Sequence, residues 1–407
     1  MYPRRERTED GIIAYGWRRF IDGRNANETV DAQWLLRLPM TKAVSRAMDA
    51  VTSFAATRLQ IHVASFVVNG RSKRGWTTWT TGLVEPRRAA AVVPVVEDLL
   101  KLAPNIRRTY SALGGWTFEF ADYLYAGLLE AERSMSVGYA EMVSIIDPYA
   151  YVAPARASDR ALRTTAGKWH RLKGSEPWLA MPKYVVNAAN DEFFLPGDNH
   201  LWWGDLPGET HLLHIPNTDH GFDHPDESGE RVYEAALRAY YGTVVRNTRR
   251  EKFTWRLIDD DAEARGAGAT KLAAIEVANA SATPVRVSMW AATTTNGQRD
   301  WRLFDCRSGP SGNCTLPEAD PSKPMPGGPR VHFVQYHETK VSFDTRRRVW
   351  RARVAVPTDG NFTALFVSVT FESGEHYTSQ MGVAPATYPF APCANPGGQE
   401  GGCDRLV

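Results

Sequence analysis

Three side chains of this sequence have the types that nucleophilic acyl transfer requires: a hydroxyl, a carboxylate and an imidazole. Ser72 lies between Gly70 and Gly75, directly after an apolar run, and Asp191 and His220 each follow a later apolar run. A serine attacks an acyl carbon when a histidine takes its proton and a carboxylate holds that histidine in the right tautomer. The order serine, acid, histidine along the chain therefore predicts Ser72 as nucleophile, Asp191 as acid and His220 as base.

Several neighbouring residues are candidates for supporting roles. Arg74 stands where the common Gly-x-Ser-x-Gly pattern has its second glycine, so the match to that pattern is imperfect. Lys73 and Arg74 place positive charge where it would favour an oxyanion or a substrate carboxylate, or they form a solvated first helical turn. The backbone N–H of Lys73 is the oxyanion donor expected from such a turn. Glu192 is a candidate for lining the pocket, and Asp98 is an alternative acid.

Five histidines between residues 200 and 224 raise the question of a metal. Zinc ligands usually come as pairs three or four residues apart, with a further ligand elsewhere. His211 and His214 lie in a predicted strand, where side chains three apart face opposite ways. We therefore predict no metal site and no cofactor.

The elements that must position these residues are strands alternating with helices. Apolar and β-branched runs predict four strands, at 61–69, 89–96, 183–187 and 211–215. Helical patterns at 42–59 and 230–246 flank them. This alternation predicts a parallel α/β sheet, with Ser72, Asp191 and His220 each just past the end of a strand.

The remaining segments predict a cap, a second domain and a tail. Residues 98–147 have no strand periodicity and are rich in aromatic and helix-forming residues, which favours a helical cap at about 98–180. The basic, Ala-rich stretch at 153–178 is interpreted as a loop or an insertion. After about residue 250 the sequence consists of short segments in which apolar and polar residues alternate, without helical patterns between them. This pattern predicts a β-sandwich. The predicted domains are 1–250, 251–390 and a Cys-containing tail at 391–407.

Composition excludes some classes of protein. The chain has 407 residues, 43% of them hydrophobic and 23% charged, with a net charge of +2. These values describe a globular protein without the field that nucleic acid or an anionic membrane would require, so we predict neither partner. No apolar stretch approaches the roughly 20 residues of a membrane-spanning helix.

Sequons and cysteine spacing favour secretion. Four N-x-Ser/Thr sequons occur, at Asn27, Asn279, Asn313 and Asn361. All four cysteines lie in the last quarter, as two close pairs: Cys306 with Cys314 and Cys393 with Cys403. Each pair closes a Gly-rich loop, as a disulfide would, although chance sequons and free thiols are the alternative. The first residues are basic without an apolar core, so this chain is not expected to carry a signal peptide.

Several segments resemble a known family. Residues 34–43 (WLLRLPMTKA), 70–79 (GRSKRGWTTW), 190–196 (NDEFFLP), 206–209 and 216–220 look like the PhoPQ-activated pathogenicity-related proteins. The resemblance continues through 289–293 and 299–301, so it covers most of the chain. It implies an α/β-hydrolase fold with a trailing β domain, and it gives Ser72, Asp191 and His220 the roles stated above.

The family resemblance also implies an activity and its alternatives. It implies a secreted peptidase-like or esterase-like protein that acts on a peptide or an ester. Because the family includes a secreted autocrine repressor of cell proliferation, a non-catalytic signalling protein that meets a cell-surface partner through its β domain is the alternative. A carbohydrate esterase that recognises an acidic sugar through Lys73 is a third.

Two departures from the family pattern concern the fold. The elbow serine of this fold usually follows the fifth strand, yet only 71 residues precede Ser72. The sheet is therefore expected to lack its early strands and to leave the strand at 61–69 with an unpaired edge. The stretch at 153–178 looks inserted relative to the family.

Overall fold

A computed structural model describes residues 7–152, 179–195, 197–222, 228–259, 271–305, 330–331, 334–393 and 406–407. Four of the predictions above lie outside these residues. They are the insertion at 153–178, the sequon at Asn313, the Cys306–Cys314 pair and the Cys403 half of the second pair.

A four-stranded parallel sheet forms the first part of the fold. Its strands are β1 (Phe66–Arg71), β2 (Ala89–Val95), β3 (Lys183–Ala188) and β4 (Thr210–Ile215). The order across the sheet is the order along the chain, and every neighbouring pair is parallel. The predicted parallel α/β sheet is confirmed, and between residues 7 and 65 no strand precedes β1.

The first strand begins later than the sequence predicts. Residues 61–65 are not in the sheet, because the N–H of Ile61 donates to Ala55 O and closes the end of the preceding helix. Pairing with the second strand begins at Phe66, whose N–H donates to Arg88 O. In the described part of the chain β1 pairs with β2 alone, so its other edge is open, as predicted.

Nine α-helices lie within the described residues. They are α1 (Glu9–Asn25), α2 (Arg37–Phe54), α3 (Lys73–Val84), α4 (Leu102–Leu113), α5 (Ala121–Tyr125), α6 (Ala131–Ser134), α7 (Val137–Ile146), α8 (Tyr149–Val152) and α9 (Ser228–Val245). The third helix packs on β1 and β2, and the next five lie between β2 and β3, in the region predicted as a cap. None of these helices is long and apolar enough to cross a membrane.

Antiparallel strands make up the rest of the described chain. They are β5 (Thr254–Ile258), β6 (Leu272–Ala278), β7 (Arg286–Thr293), β8 (Phe304–Asp305), β9 (Arg330–Val331), β10 (His337–Lys340), β11 (Phe343–Asp344), β12 (Val349–Ala355), β13 (Thr363–Thr370), β14 (His376–Thr378) and β15 (Gly382–Ala384). One sheet has the order β10-β7-β13-β14, with β15 also on β13, and another has the order β11-β12-β6-β5.

The two antiparallel sheets pack on each other as the two layers of a β-sandwich, as the sequence predicts. Ile275 of β6 and Leu365 of β13 belong to one buried apolar cluster, because alternate residues of each strand face inward. That cluster continues into the parallel sheet through Tyr184. The division into domains at residues 250 and 390 stays a prediction.

The parallel sheet meets the sandwich along β4 and β14. The His211 ring stacks on Tyr377 with ring centroids 4.2 Å apart, and the N–H of His214 donates to Thr378 Oγ1 at 3.0 Å. Tyr184 donates its hydroxyl to the carbonyl of His376 at 2.7 Å. Two of the five histidines noted in the sequence, His211 and His214, are therefore buried in this junction.

Candidate active site

A sharp strand-to-helix turn carries Ser72. The strand β1 ends at Arg71 and α3 begins at Lys73, so Ser72 alone makes the change of direction, with φ 53° and ψ −126°. A positive φ is strained for a residue with a side chain, and neighbours must hold it. The N–H of Ser72 donates to Val95 O at 2.9 Å, and the N–H of Trp76 donates to Ser72 O at 3.1 Å. We call residues 70–75 the elbow.

Two glycines let the elbow approach its neighbours closely. A Cβ on Gly70 would lie 2.5 Å from Arg74 O, and a Cβ on Gly75 would lie 2.7 Å from Glu97 Cβ and 2.9 Å from Val95 O. The close contact between helix and strand therefore falls at Gly75. Arg74, which stands where the common pattern has a glycine, is exposed. The glycine that the common pattern has at position 74 is thus replaced in function by Gly75, one residue later.

Replacing Gly75 by alanine is expected to destabilise the protein. The added methyl group would press on backbone and on Glu97, and overpacking of this kind costs about 1–3 kcal/mol. The matched control is Gly204→Ala, because a Cβ at Gly204 would meet no atom within 4 Å. Urea unfolding of both variants should show a lower free energy of unfolding for Gly75→Ala alone. Equal values would mean that the contact at Gly75 is not tight.

The structure brings Ser72, His220 and Asp191 into one chain of hydrogen bonds. Ser72 Oγ lies 2.8 Å from His220 Nε2, and His220 Nδ1 lies 2.9 Å and 3.0 Å from the two oxygens of Asp191. With its proton on Nδ1, the imidazole leaves Nε2 free to accept from the serine hydroxyl. The arrangement can thus move a proton from Ser72 to His220.

Asp191, and not Asp98, is the aspartate that contacts His220. The Oδ1 atom of Asp191 also accepts from the N–H groups of Phe193 and Phe194, at 2.7 Å and 2.9 Å, which fixes the carboxylate. Asp98 is buried elsewhere, and its carbonyl accepts from Asn105 Nδ2 at 2.8 Å. No hydrogen bond or ion pair of His220 in the described residues involves Asp98.

Glu192 lies behind the histidine and supports it. The backbone N–H of His220 donates to Glu192 Oε2 at 2.9 Å, and Thr117 donates its hydroxyl to the carbonyl of Glu192. Arg302 donates in turn to Thr117 Oγ1 at 3.4 Å and forms a fully buried ion pair with Asp300. A loop of the antiparallel region thus supports the segment that holds His220. The sequence predicted Glu192 near the pocket but not this role.

Lys73 and Arg74 occupy different environments. The Nζ atom of Lys73 pairs with Glu9 and lies 3.8 Å from Asp10. The positive charge of Lys73, a candidate from the sequence for favouring an oxyanion, is therefore already paired with carboxylates of α1. The N–H of Lys73 is one of the N–H groups without a partner inside α3, since it opens that helix. Arg74 is exposed.

A largely aromatic cavity opens beside the serine. Its apolar wall includes Trp17, Trp76, Leu99, Phe120, Phe193 and Phe194. The charged residues on the same cavity are Asp10, Arg37, Lys73 and Glu97. Sequence reasoning missed Asp10, Arg37 and Glu97, which come from three different segments. Arg37 at least lies inside the segment 34–43 that carries the family resemblance.

Acidic neighbours set the basicity of His220. Burial lowers the pKa of His220, but the Asp191 carboxylate and its hydrogen bond, together with Glu119 and Glu192, raise that pKa to about 9. A histidine with this pKa is mostly protonated at neutral pH, so its capacity to accept a proton rises on the alkaline side.

The pH dependence can be tested through Glu119, a partly buried residue of the cap. Glu119→Gln removes a negative charge near His220, and loss of a negative neighbour lowers the pKa of a cation. The alkaline midpoint of kcat/KM is expected to move down, by a few tenths to about one pH unit. Glu234→Gln, an exposed change on α9, is the control and should leave the midpoint in place. An unchanged midpoint in Glu119→Gln would show that this charge does not act on His220.

Comparisons with known proteins give a family. A family model described as PhoPQ-activated pathogenicity-related protein matches residues 2–302. Autocrine proliferation repressor protein A from Dictyostelium discoideum is 29% identical over 402 residues, which is 96% of this chain and 69% of that protein.

Two solved structures are similar to about half of the chain. Est1E from Butyrivibrio proteoclasticus is 18% identical, covers 49% of this chain and 68% of its own, and has a TM-score of 0.29. An acylaminoacyl peptidase from Pyrococcus horikoshii is 11% identical, covers 48% of this chain and 26% of its own, and has a TM-score of 0.31.

Proposed function

The chain belongs to the PhoPQ-activated pathogenicity-related protein family, and from that premise and the contacts of Ser72 we propose that it is a serine hydrolase that cleaves a peptide or an ester. The observation that carries the proposal is the 2.8 Å contact between Ser72 Oγ and His220 Nε2, with Asp191 on the far side of the imidazole. This is the geometry that an acyl-enzyme mechanism requires.

Each group has one role in the proposed reaction. His220 takes the proton of Ser72 as Oγ bonds to the acyl carbon, and Asp191 holds the imidazolium that results. The N–H of Lys73 donates to the oxyanion. His220 then gives its proton to the leaving alcohol or amine, and a water molecule repeats the sequence to release the acid and free Ser72. The aromatic wall of the cavity receives an apolar part of the substrate.

A fluorophosphonate probe tests the proposal, because it forms a bond only with an activated serine. We expect the folded protein to gain the mass of one phosphonyl group, with peptide mapping to Ser72, faster at pH 9 than at pH 7 because of the raised pKa of His220. Heat-denatured protein is the control and should not react. A folded protein that stays unlabelled while a reference serine hydrolase reacts would contradict the proposal.

We further propose that the protein is extracellular, glycosylated and disulfide-bonded. Asn27 and Asn279 are exposed and lie outside helices and strands, where an oligosaccharide can be attached. Cys393 is followed ten residues later by Cys403 across a Gly-rich segment, a spacing that supports a disulfide between them. Expression through a secretory pathway should add mass that a glycosidase removes, and protein without added mass would contradict this part of the proposal.

The name of one relative favours a second candidate function. A protein related to Autocrine proliferation repressor protein A could act as an extracellular signal without catalysis, through its antiparallel region. The double variant Ser72→Ala/His220→Ala separates the two candidates when it is compared with the wild type in a cell-proliferation assay. Retained repression in the double variant favours the signalling function, and lost repression favours catalysis.

A further inference from the structure

One buried cation on the active-site cavity has no counter-ion in contact. Arg37, at the start of α2, is 3% exposed and lines the cavity together with Ser72. Its Nη1 donates to Lys73 O at 2.9 Å, and its guanidinium lies 4.5 Å from the centre of the Trp76 ring. Its Nε has no hydrogen-bond partner. The side chain is thus held in place with its Nε–H unused.

A buried charge without an ion-pair contact at such a site is costly. Among the described residues no carboxylate forms a salt bridge with Arg37, whereas the neighbouring Lys73 is paired with Glu9 and Asp10. A buried charge without a partner destabilises a protein by several kcal/mol, so its presence in a cavity indicates a function. Arg37 Nε is unused, and the edge of a guanidinium formed by Nε and Nη2 binds a carboxylate through two parallel hydrogen bonds.

We infer that Arg37 binds a carboxylate of the substrate inside the active-site cavity. The inference rests on the proposed hydrolase function and narrows it: the substrate is an ester or amide whose acyl portion combines an apolar body with a free carboxylate. The sequence suggested an anionic substrate recognised by Lys73. The structure gives that role to Arg37, because Lys73 already has carboxylate partners.

The other charged groups on the cavity are compatible with an anion. Asp10 accepts from the hydroxyl of Tyr123 at 3.2 Å and lies 3.8 Å from Lys73 Nζ. Burial raises the pKa of Asp10, and the charge of Arg37 lowers it, so Asp10 is near two cations without an ion-pair contact to Arg37. Glu97 is 2% exposed, and its Oε1 accepts from the N–H of Leu99 at 3.3 Å.

Burial favours the protonated, neutral form of Glu97. Burial raises the pKa of Glu97 to about 8, against the lowering effects of Arg37 on α2 and His220 after β4, while Asp10 on α1 raises it further. Its chain neighbour Asp98 is also buried, with a raised pKa. Below pH 8 the neutral carboxyl of Glu97 does not repel a carboxylate. Above pH 8 it ionises and does.

Two 4-nitrophenyl esters of equal length test the inference. The monoester of adipic acid ends in a carboxylate, and the hexanoate ester ends in a methyl group. We expect the wild type to prefer the adipate ester by about tenfold or more in kcat/KM, mainly through KM, as a charge-assisted contact provides. Arg37→Met should bring this ratio to about one, and Arg37→Lys should keep part of it. Arg46→Met, an exposed change on the same helix, should keep all of it.

Glu97→Gln provides a second readout if Arg37→Met does not fold. The wild type should lose its preference for the adipate ester above about pH 8, whereas a glutamine stays neutral and should keep the preference there.

The outcomes separate this inference from the proposed function. Equal hydrolysis of the two esters by the wild type, or a preference that survives Arg37→Met, would overturn the carboxylate site while the hydrolase stands. A preference that Glu97→Gln fails to extend to higher pH would overturn it as well. Absence of both hydrolysis and fluorophosphonate labelling would contradict the proposed function, and this inference with it.

Discussion

Ser72→Ala is expected to lower kcat/KM by about 10⁴- to 10⁶-fold, because removal of the nucleophile leaves only binding and the oxyanion donors. Labelling by a fluorophosphonate should disappear in the same variant. The side chain of Ser72 contributes a hydrogen bond to His220 and little packing, so the fold should persist, and circular dichroism can verify this. The measurement is the initial rate of ester hydrolysis together with labelling.

The control for this change is Ser53→Ala, on the exposed side of α2. It should retain both the rate and the label. If the Ser72→Ala protein still hydrolyses esters at the wild-type rate, another group is the nucleophile. That result would contradict the proposed function.

Asp191→Asn is expected to have an effect of similar size, a fall of about 10⁴-fold in kcat. An asparagine can present its Nδ2–H to the imidazole where the carboxylate now accepts, which favours the tautomer with its proton on Nε2. That tautomer cannot accept the proton of Ser72. The loss should appear in kcat more than in KM, because Asp191 acts on the base and does not line the cavity.

Asp98→Asn is the matched control for the acid. The two aspartates are both buried and both follow a strand of the parallel sheet, but only Asp191 contacts His220. Asp98→Asn should therefore stay within about tenfold of the wild-type kcat, as expected for a group outside the reacting set. If Asp98→Asn lowers kcat more than Asp191→Asn does, the acid is Asp98, and His220 must rotate away from Asp191 in the reacting enzyme.

Local sequence was enough to predict the residues that the structure brings together at the elbow. Ser72, Asp191 and His220 each follow a short apolar run, and parallel strands place their carboxyl ends at one edge of the sheet. The position of each residue just past the carboxyl end of a parallel strand was therefore enough to predict that the three residues meet. The start of β1 at Phe66 was not predictable in the same way, because an apolar run does not show where pairing with Arg88 begins.

The walls of the cavity could not be predicted, for a physical reason. Asp10, Arg37 and Glu97 come from α1, α2 and the end of β2, and their meeting depends on how the helices pack. No local period or spacing encodes such packing. The ion pairs of Lys73 could not be predicted either, because they depend on how α1 packs and places Glu9 and Asp10 beside it.

The support behind His220 has a consequence for how this protein can be divided. The ion pair of Asp300 and Arg302 lies beyond residue 250, yet through Thr117 and Glu192 it braces the backbone that holds the histidine. A fragment that ends at residue 250 would keep all three residues of the hydrogen-bonded chain and lose their brace. Gene fusions or exchanges that replace the antiparallel half are therefore expected to yield inactive proteins, and the two halves should be inherited as one unit.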